Sequence, residues 1–192
     1  MMGRRVALFI VVLALCFFTP RDVAYPGSRL FSISYQAVFP RADLAVDQTG
    51  GFDVVKLKDC ARSQDAGLPD LPSRLVHLLI PQGYRAASVS VDAADEVDLA
   101  SNFLISPIQP DLRTDGTPGV QWVGPDPAVY ESDFSYPPRT VEIVEQGYLA
   151  GNPMVTLSVT PFQYLPESGD LTFYTKLDIE VELEPDDKAI PT

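Results

Sequence analysis

The sequence predicts an all-β fold, an antiparallel β-sandwich of the jelly-roll kind. Three observations lead there. No window of the chain sustains apolar residues at spacings of three and four, the mark of an amphipathic helix. Short runs in which apolar and polar residues alternate recur along it instead. Gly/Pro punctuation separates those runs, at Gly67-Leu68-Pro69, Pro81-Gln82-Gly83, Gly151-Asn152-Pro153 and Gly169.

The first element is a leader. Arg4 and Arg5 supply positive charge, and residues 6–18 form an unbroken apolar run ended by Thr19, Pro20 and Arg21. That run of about 13 residues suits a secretion signal and falls short of a membrane span. The reading is a signal peptide over residues 1–24, with export to the extracellular space or periplasm and no stable membrane insertion after its removal. A lipid anchor at Cys16 is opposed by the bulky Leu15 before it. A retained N-terminal anchor is the remaining alternative. The rest of the 192 residues suits one domain, residues 25–184, and residues 185–192 read as the start of a linker.

Strands follow. Residues 30–39 alternate through Phe31, Ile33, Tyr35, Ala37 and Phe39, and residues 52–57 give a short second strand. Residues 75–80 are almost continuously apolar, which predicts burial on both faces. Residues 87–91 alternate with serine. Residues 97–104 suit a strand, a loop or a turn of helix equally. Residues 140–149 and 154–161 are two further strands. The last strand is the clearest. From Leu171 onward, Phe173, Leu177, Ile179, Val181 and Leu183 are apolar, while Thr172, Lys176, Asp178, Glu180, Glu182 and Glu184 are polar. Strand side chains alternate between faces, so this strand has one dry face and one acidic face. The turn Pro166-Glu167-Ser168-Gly169-Asp170 precedes it, and Gly169 is free to take positive φ there.

One segment breaks the rhythm. Residues 107–138 are rich in Pro, Gly and Asp, a connection of about 30 residues, and such lengths belong to functional or disordered loops. Its aromatics, Trp122, Tyr130, Phe134 and Tyr136, predict that part of it packs.

Composition narrows the partners. The formal charge is −12 and the hydrophobic fraction 46%. The hydrophobic fraction supports a genuine core. The acidic excess opposes nucleic acid and anionic membrane surfaces, because like charges repel. With the leader gone only Cys60 remains, so no internal disulfide is possible and the core alone must hold the fold.

The order of motifs resembles a known family. Ala66-Gly67-Leu68-Pro69-Asp70-Leu71-Pro72 is followed by the apolar strand ending at Ile80-Pro81, the strand 87–91 and Ile105-Ser106-Pro107. Tyr136-Pro137 and the block Pro161-Phe162-Gln163-Tyr164-Leu165-Pro166 through Gly169 and Leu171 complete it. Over residues 30–183 this is similar to the N-terminal propeptide of gingipain-like cysteine peptidases. The resemblance implies an all-β prodomain without catalysis of its own. Its partner is a caspase-like cysteine peptidase domain, in cis or in trans, which it keeps latent and helps to fold. The alternative is an extracellular β-sandwich used for adhesion or glycan binding.

Cys60 and His77 are the only thiol and imidazole left for a nucleophilic dyad, but His77 lies in an apolar strand and Cys60 in a charged turn. They read as an unrelated core histidine and a surface-loop thiol, with no catalytic residue assigned. Asp111, Asp115 and Asp126 fit no calcium-loop spacing, and no metal or cofactor is assigned. Asp178, Glu180 and Glu182 share the acidic face and read as solubilising charges that guard the strand against edge pairing. Docking to a basic patch on the peptidase is a second role for them. Tyr35, Trp122, Tyr130, Tyr136 and Tyr164 are candidates for a sugar platform, but read more simply as packing anchors. Arg113 is the basic residue between Asp111 and Asp115 in the long connection. If the cognate peptidase prefers a basic residue before the scissile bond, as the resemblance implies, Arg113 is the inhibitory-loop anchor, its guanidinium paired bidentately with a pocket carboxylate. Arg62 and Arg139 are its rivals.

Overall fold

The final strand is the axis of the molecule. The computed structural model describes residues 31–62, 65–110 and 122–186. Strand β1 (Phe31–Val38) lies antiparallel to β9 (Asp170–Pro185), from Phe31 opposite Leu183 to Val38 opposite Lys176. Strand β5 (Tyr84–Ala100) covers the other edge of β9 along nearly its whole length, from Tyr84 opposite Pro185 to Ala100 opposite Leu171. Strand β8 (Phe162–Leu165) takes over where β1 ends, in a hairpin that sets Phe162 opposite Phe173. A second antiparallel sheet has the order β4-β7-β6, built from β4 (Arg74–Leu79), β6 (Val141–Leu149) and β7 (Asn152–Val159). A hairpin of β2 (Leu44–Thr49) and β3 (Phe52–Leu57) completes the strands. The described helices are a 3-10 turn at Arg41–Asp43 and the single turn α1 (Pro127–Tyr130).

The alternation of β9 becomes the core. Leu171, Phe173, Leu177, Ile179, Val181 and Leu183 are all buried to within about 1% of full occlusion. They join Val155, Leu157 and Val159 of β7, Val55 and Leu57 of β3, and Ala37 and Phe39 from the β1 end in one hydrophobic cluster. Two sheets and a hairpin closing on a single apolar layer make a β-sandwich. Removing a side chain of this size from water stabilises the fold by about 1.5–3 kcal/mol before cavity effects. Gln146 fastens one edge of the sandwich. Its side-chain amide receives the Ala86 N–H at 2.9 Å and donates to the Ala86 carbonyl at 3.0 Å, so a side chain of β6 stands in for a neighbouring strand beside β5.

Several expectations need correction. Residues 75–80 do not lie buried on both faces. Val76 and Ile80 point inward, whereas Leu75 and Leu79 are more than half exposed, because β4 is an edge strand of a sheet with only one face on the core. His77 is accordingly exposed rather than a core residue. The acidic strand needs no guard against edge pairing, since β9 is central, with neighbours on both edges. Its polar face is instead cross-linked: Gln36 donates to Asp178, Ser88 to Glu182, and Arg85 pairs with Glu184. Residues 97–100 are strand, the end of β5. The β5 register against β9 shifts at four places, between Ala86 and Ser88, Val91 and Ala93, Asp95 and Glu96, and Asp98 and Ala100. Each shift changes the phase of the alternation, which hides a strand of 17 residues from a period-two reading.

The turn before β9 behaves as read. Gly169 has φ of +70°, and a Cβ there would come within 2.7 Å of the Asn102 Cα and 2.8 Å of the Phe103 backbone. The Phe103 N–H donates to the Gly169 carbonyl at 2.9 Å, so the turn packs directly against residues 102–103. Strand β9 continues to Pro185, opposite Tyr84, and the Asp186 N–H donates to the Gly83 carbonyl at 2.8 Å.

Candidate docking surface

The two ends of the long connection converge on the Gly67-to-Pro72 motif. Backbone bonds set residues 67–70 antiparallel to residues 106–108: Gly67 N–H to the Ile108 carbonyl (2.9 Å), Ile108 N–H to the Leu68 carbonyl (2.8 Å) and Asp70 N–H to the Ser106 carbonyl (2.9 Å). The returning end joins them where the Asp126 N–H donates to the Gly67 carbonyl at 2.9 Å. Gln109 then clips the two ends together. Its side chain accepts from the Val123 N–H at 3.0 Å and donates to the Val123 carbonyl at 2.8 Å.

Aromatic hydroxyls tie the returning end to the core. Tyr130 donates to the Ile105 carbonyl at 2.8 Å, and Tyr164 to the Phe103 carbonyl at 3.0 Å, with the two rings edge to face at 6.4 Å. Burial pushes both phenols up from their ordinary value, so they remain donors throughout the neutral range. Tyr136 and Tyr164 exchange backbone bonds of 2.7 and 2.8 Å. The expectation that the aromatic part of the connection packs is met by Tyr130 and Tyr136. Phe134 and Trp122 are exposed, at 76% and 59%. A flat sugar platform is not formed, because Tyr164 is 1% exposed while Trp122 stands on the surface.

Two buried carboxylates hold this region. Asp53, on β3, accepts from the Leu104 N–H at 2.8 Å and from Gln48 at 3.0 Å, while its backbone bonds Leu104 and Ser106. Asp70 is 4% exposed and pairs with Arg62, whose own side chain is 63% exposed. Burial raises the Asp70 carboxyl above the usual range, and the Arg62 guanidinium offsets part of that rise. Among the described residues its Oδ1 has no hydrogen-bond partner.

Two grooves open beside these groups. One, of about 610 Å³, runs onto the outer face of the β4-β7-β6 sheet and is lined by Arg62, Leu71, Leu75, Pro137, Arg139 and Val144 among others. The other, of about 520 Å³, lies between the β2–β3 hairpin and Trp122. Arg62 lines both.

The Propeptide_C25 family model matches residues 27–191. The chain belongs to the Propeptide_C25 family. It is therefore a propeptide of the gingipain kind and not itself a catalytic domain. Solved structures share its fold, among them two from one organism. The complex of Porphyromonas gingivalis RgpB pro- and mature domains aligns with a TM-score of 0.67 at 18% identity, covering 84% of this chain and 83% of that one. The structure describing the zymogenic latency of gingipain K from the same organism aligns with a TM-score of 0.63 at 21% identity, covering 83% and 90%. No curated protein matches the chain.

Within this propeptide, the Cys60 and His77 neighbourhoods reverse the sequence expectation. The Cys60 thiol packs against the hydrophobic cluster, and burial raises its pKa despite Arg74 beside it, the opposite of what a nucleophilic thiolate needs. His77 lies on the exposed face, where its Nδ1 meets the Thr156 hydroxyl at 3.0 Å. Among the described residues no three His, Cys, Asp or Glu side chains gather as a metal site. Asp126 caps α1 by accepting from the Ala128 N–H at 2.9 Å. Asp111, Asp115 and Arg113 lie outside the described residues, as do the leader and residues 187–192. Of the two rival arginines, Arg62 is held on the surface by Asp70, and Arg139 is exposed in the larger groove.

Sequence reasoning missed β2 and β8. Two adjacent glycines, Gly50 and Gly51, both with positive φ, close the β2–β3 hairpin, and this dipeptide between alternating runs was the available signal. The Asp53 anchor carried no signal, because its value comes from backbone groups about 50 residues away.

Proposed function

We propose that this propeptide binds a gingipain-like, caspase-fold cysteine peptidase domain, holds it latent and assists its folding. Membership of the Propeptide_C25 family over residues 27–191 carries the reading. The RgpB structure, which pairs a prodomain of this fold with a mature domain, supports a peptidase as the partner. The firmly tied roots of the long connection suit an arm that must enter a cleft without dragging the sandwich with it. Arg113 is the anchor of that arm, offered to a carboxylate in the pocket that receives the residue before the scissile bond. Residues 1–24 act as a signal peptide that exports the chain. Among the described residues no helix is long and apolar enough to cross a membrane.

A contact of ordinary size buries about 1,600 Å² in total, enough for tight inhibition when a charged group fills a pocket. The test is a titration of the source organism's gingipain-like peptidase domain with the purified chain, followed by cleavage of a peptide substrate. Inhibition by the parent, weakened at least tenfold in Arg113→Ala, is the expected result. Equal inhibition by both chains removes Arg113 from the account, and no inhibition by either removes latency.

A further inference from the structure

We infer that the two halves of the propeptide, before and after the long connection, hold each other without it. A peptide bond cut within residues 111–121, which lie outside the described residues, leaves the propeptide folded and seated on the peptidase domain. The seating rests on the function proposed above.

The topology carries the inference. Strands β1, β4 and β5 precede the connection, and each finds its partner after it. β1 and β5 flank β9, and β4 pairs with β7. Among the described strands, the β2–β3 hairpin is the one pair confined to the first half. An isolated hairpin is marginal in water, so the first half has no stable sheet of its own. The second half keeps β6 with β7 and β8 with β9, but alone its β9 would lose both neighbours from Lys176 to Leu183.

The core is shared in the same way. Ala37, Phe39 and Ile105 from the first half and Leu157, Phe173 and Val181 from the second are all fully occluded in one cluster. Such a contact is a domain core cut in two, the character of obligate interfaces. Polar ties cross the divide as well. The Phe39 N–H donates to the Thr175 carbonyl at 2.8 Å, and the Ile80 N–H to the Pro153 carbonyl at 3.0 Å. The Gln109–Val123 clip joins the roots of both new chain ends after a cut.

The partner's chemistry makes such a cut relevant. A basic residue offered to the pocket before the scissile bond is offered as a substrate is, so the bond after Arg113 is the one at risk. Hydrolysis breaks its C–N bond, water giving a hydroxyl to the Arg113 carbonyl carbon and a hydrogen to the Thr114 nitrogen. Both fragments keep the shared core, so this cut alone does not end latency.

The test puts the recognition sequence of a protease that cuts nowhere else in the chain in place of residues 114–119, keeping Arg113. Cut and uncut chains are compared by size exclusion, by melting at about 1 and about 100 μM, and by inhibition of the source organism's gingipain-like peptidase domain. Both fragments should elute together at the volume of the uncut chain. The melting temperature of the cut chain should rise with concentration and that of the uncut chain should not, because folding has become an association of two chains. Inhibition should fall by less than about tenfold on cutting. Fragments that separate or aggregate overturn the inference, and so does cut material that stays together but no longer inhibits. If the parent and uncut chains do not inhibit, the proposed function fails, and elution and melting still decide whether the halves hold each other.

Discussion

Asp70 shows how one residue ties stability to pH. Burial raises its carboxyl above the usual range, so the fold favours the protonated form. The contribution of this group to stability is therefore greatest below its unfolded pKa and is lost as pH rises through the folded value. Asp70→Asn removes that dependence. Measured as melting temperatures from about pH 3 to about pH 7, the variant should gain on the parent as pH rises. A constant difference across the range would show that Asp70 does not titrate differently in the two states. Gly169 is the second residue on which much depends. Gly169→Ala faces both a left-handed backbone and a 2.7 Å approach to Asn102, and should destabilise by at least about 3 kcal/mol in denaturant unfolding. A loss below about 1 kcal/mol would mean the turn can move away from residues 102–103.

At the scale of elements, the sheets are joined by side chains acting as backbone. Gln146 makes two bonds to Ala86, and Gln146→Ala leaves both backbone groups to find other partners. A loss of about 1–3 kcal/mol in unfolding free energy is expected, with faster hydrogen exchange of the Ala86 amide. Unchanged exchange there would assign the junction of β5 and β6 to packing alone. The elements also show what the sequence could convey. β9 was legible because buried and polar positions alternate along most of it, interrupted only at Tyr174 to Lys176. β5 was legible only over residues 87–91, with residues 97–104 left open, since its bulges reset the phase. β4 was recognised as a strand but assigned the wrong burial, because an apolar run does not say whether a second layer covers its outer face. The aromatic packing of the long connection could be anticipated from Tyr130 and Tyr136. The Arg62–Asp70 pair could not, since it depends on how the Gly67-to-Pro72 motif threads beside residues 106–108.

At the scale of the whole molecule, a single hydrophobic cluster gives a rigid body, and the long connection leaves and re-enters it at one clipped root. That design suits recognition by shape and charge. A formal charge of −12 repels nonspecific anionic partners and steers the encounter with a partner surface that carries positive charge. Raising the salt concentration should therefore slow association with the peptidase more than it speeds dissociation. A salt-independent association rate would mean that charge does not guide the encounter. The most direct measurement is size-exclusion chromatography of the purified chain mixed with the source organism's gingipain-like peptidase domain, with peptide hydrolysis followed in the eluted fractions. Co-elution as a stoichiometric complex with suppressed hydrolysis is the predicted result. Separate elution with full peptidase activity would contradict it.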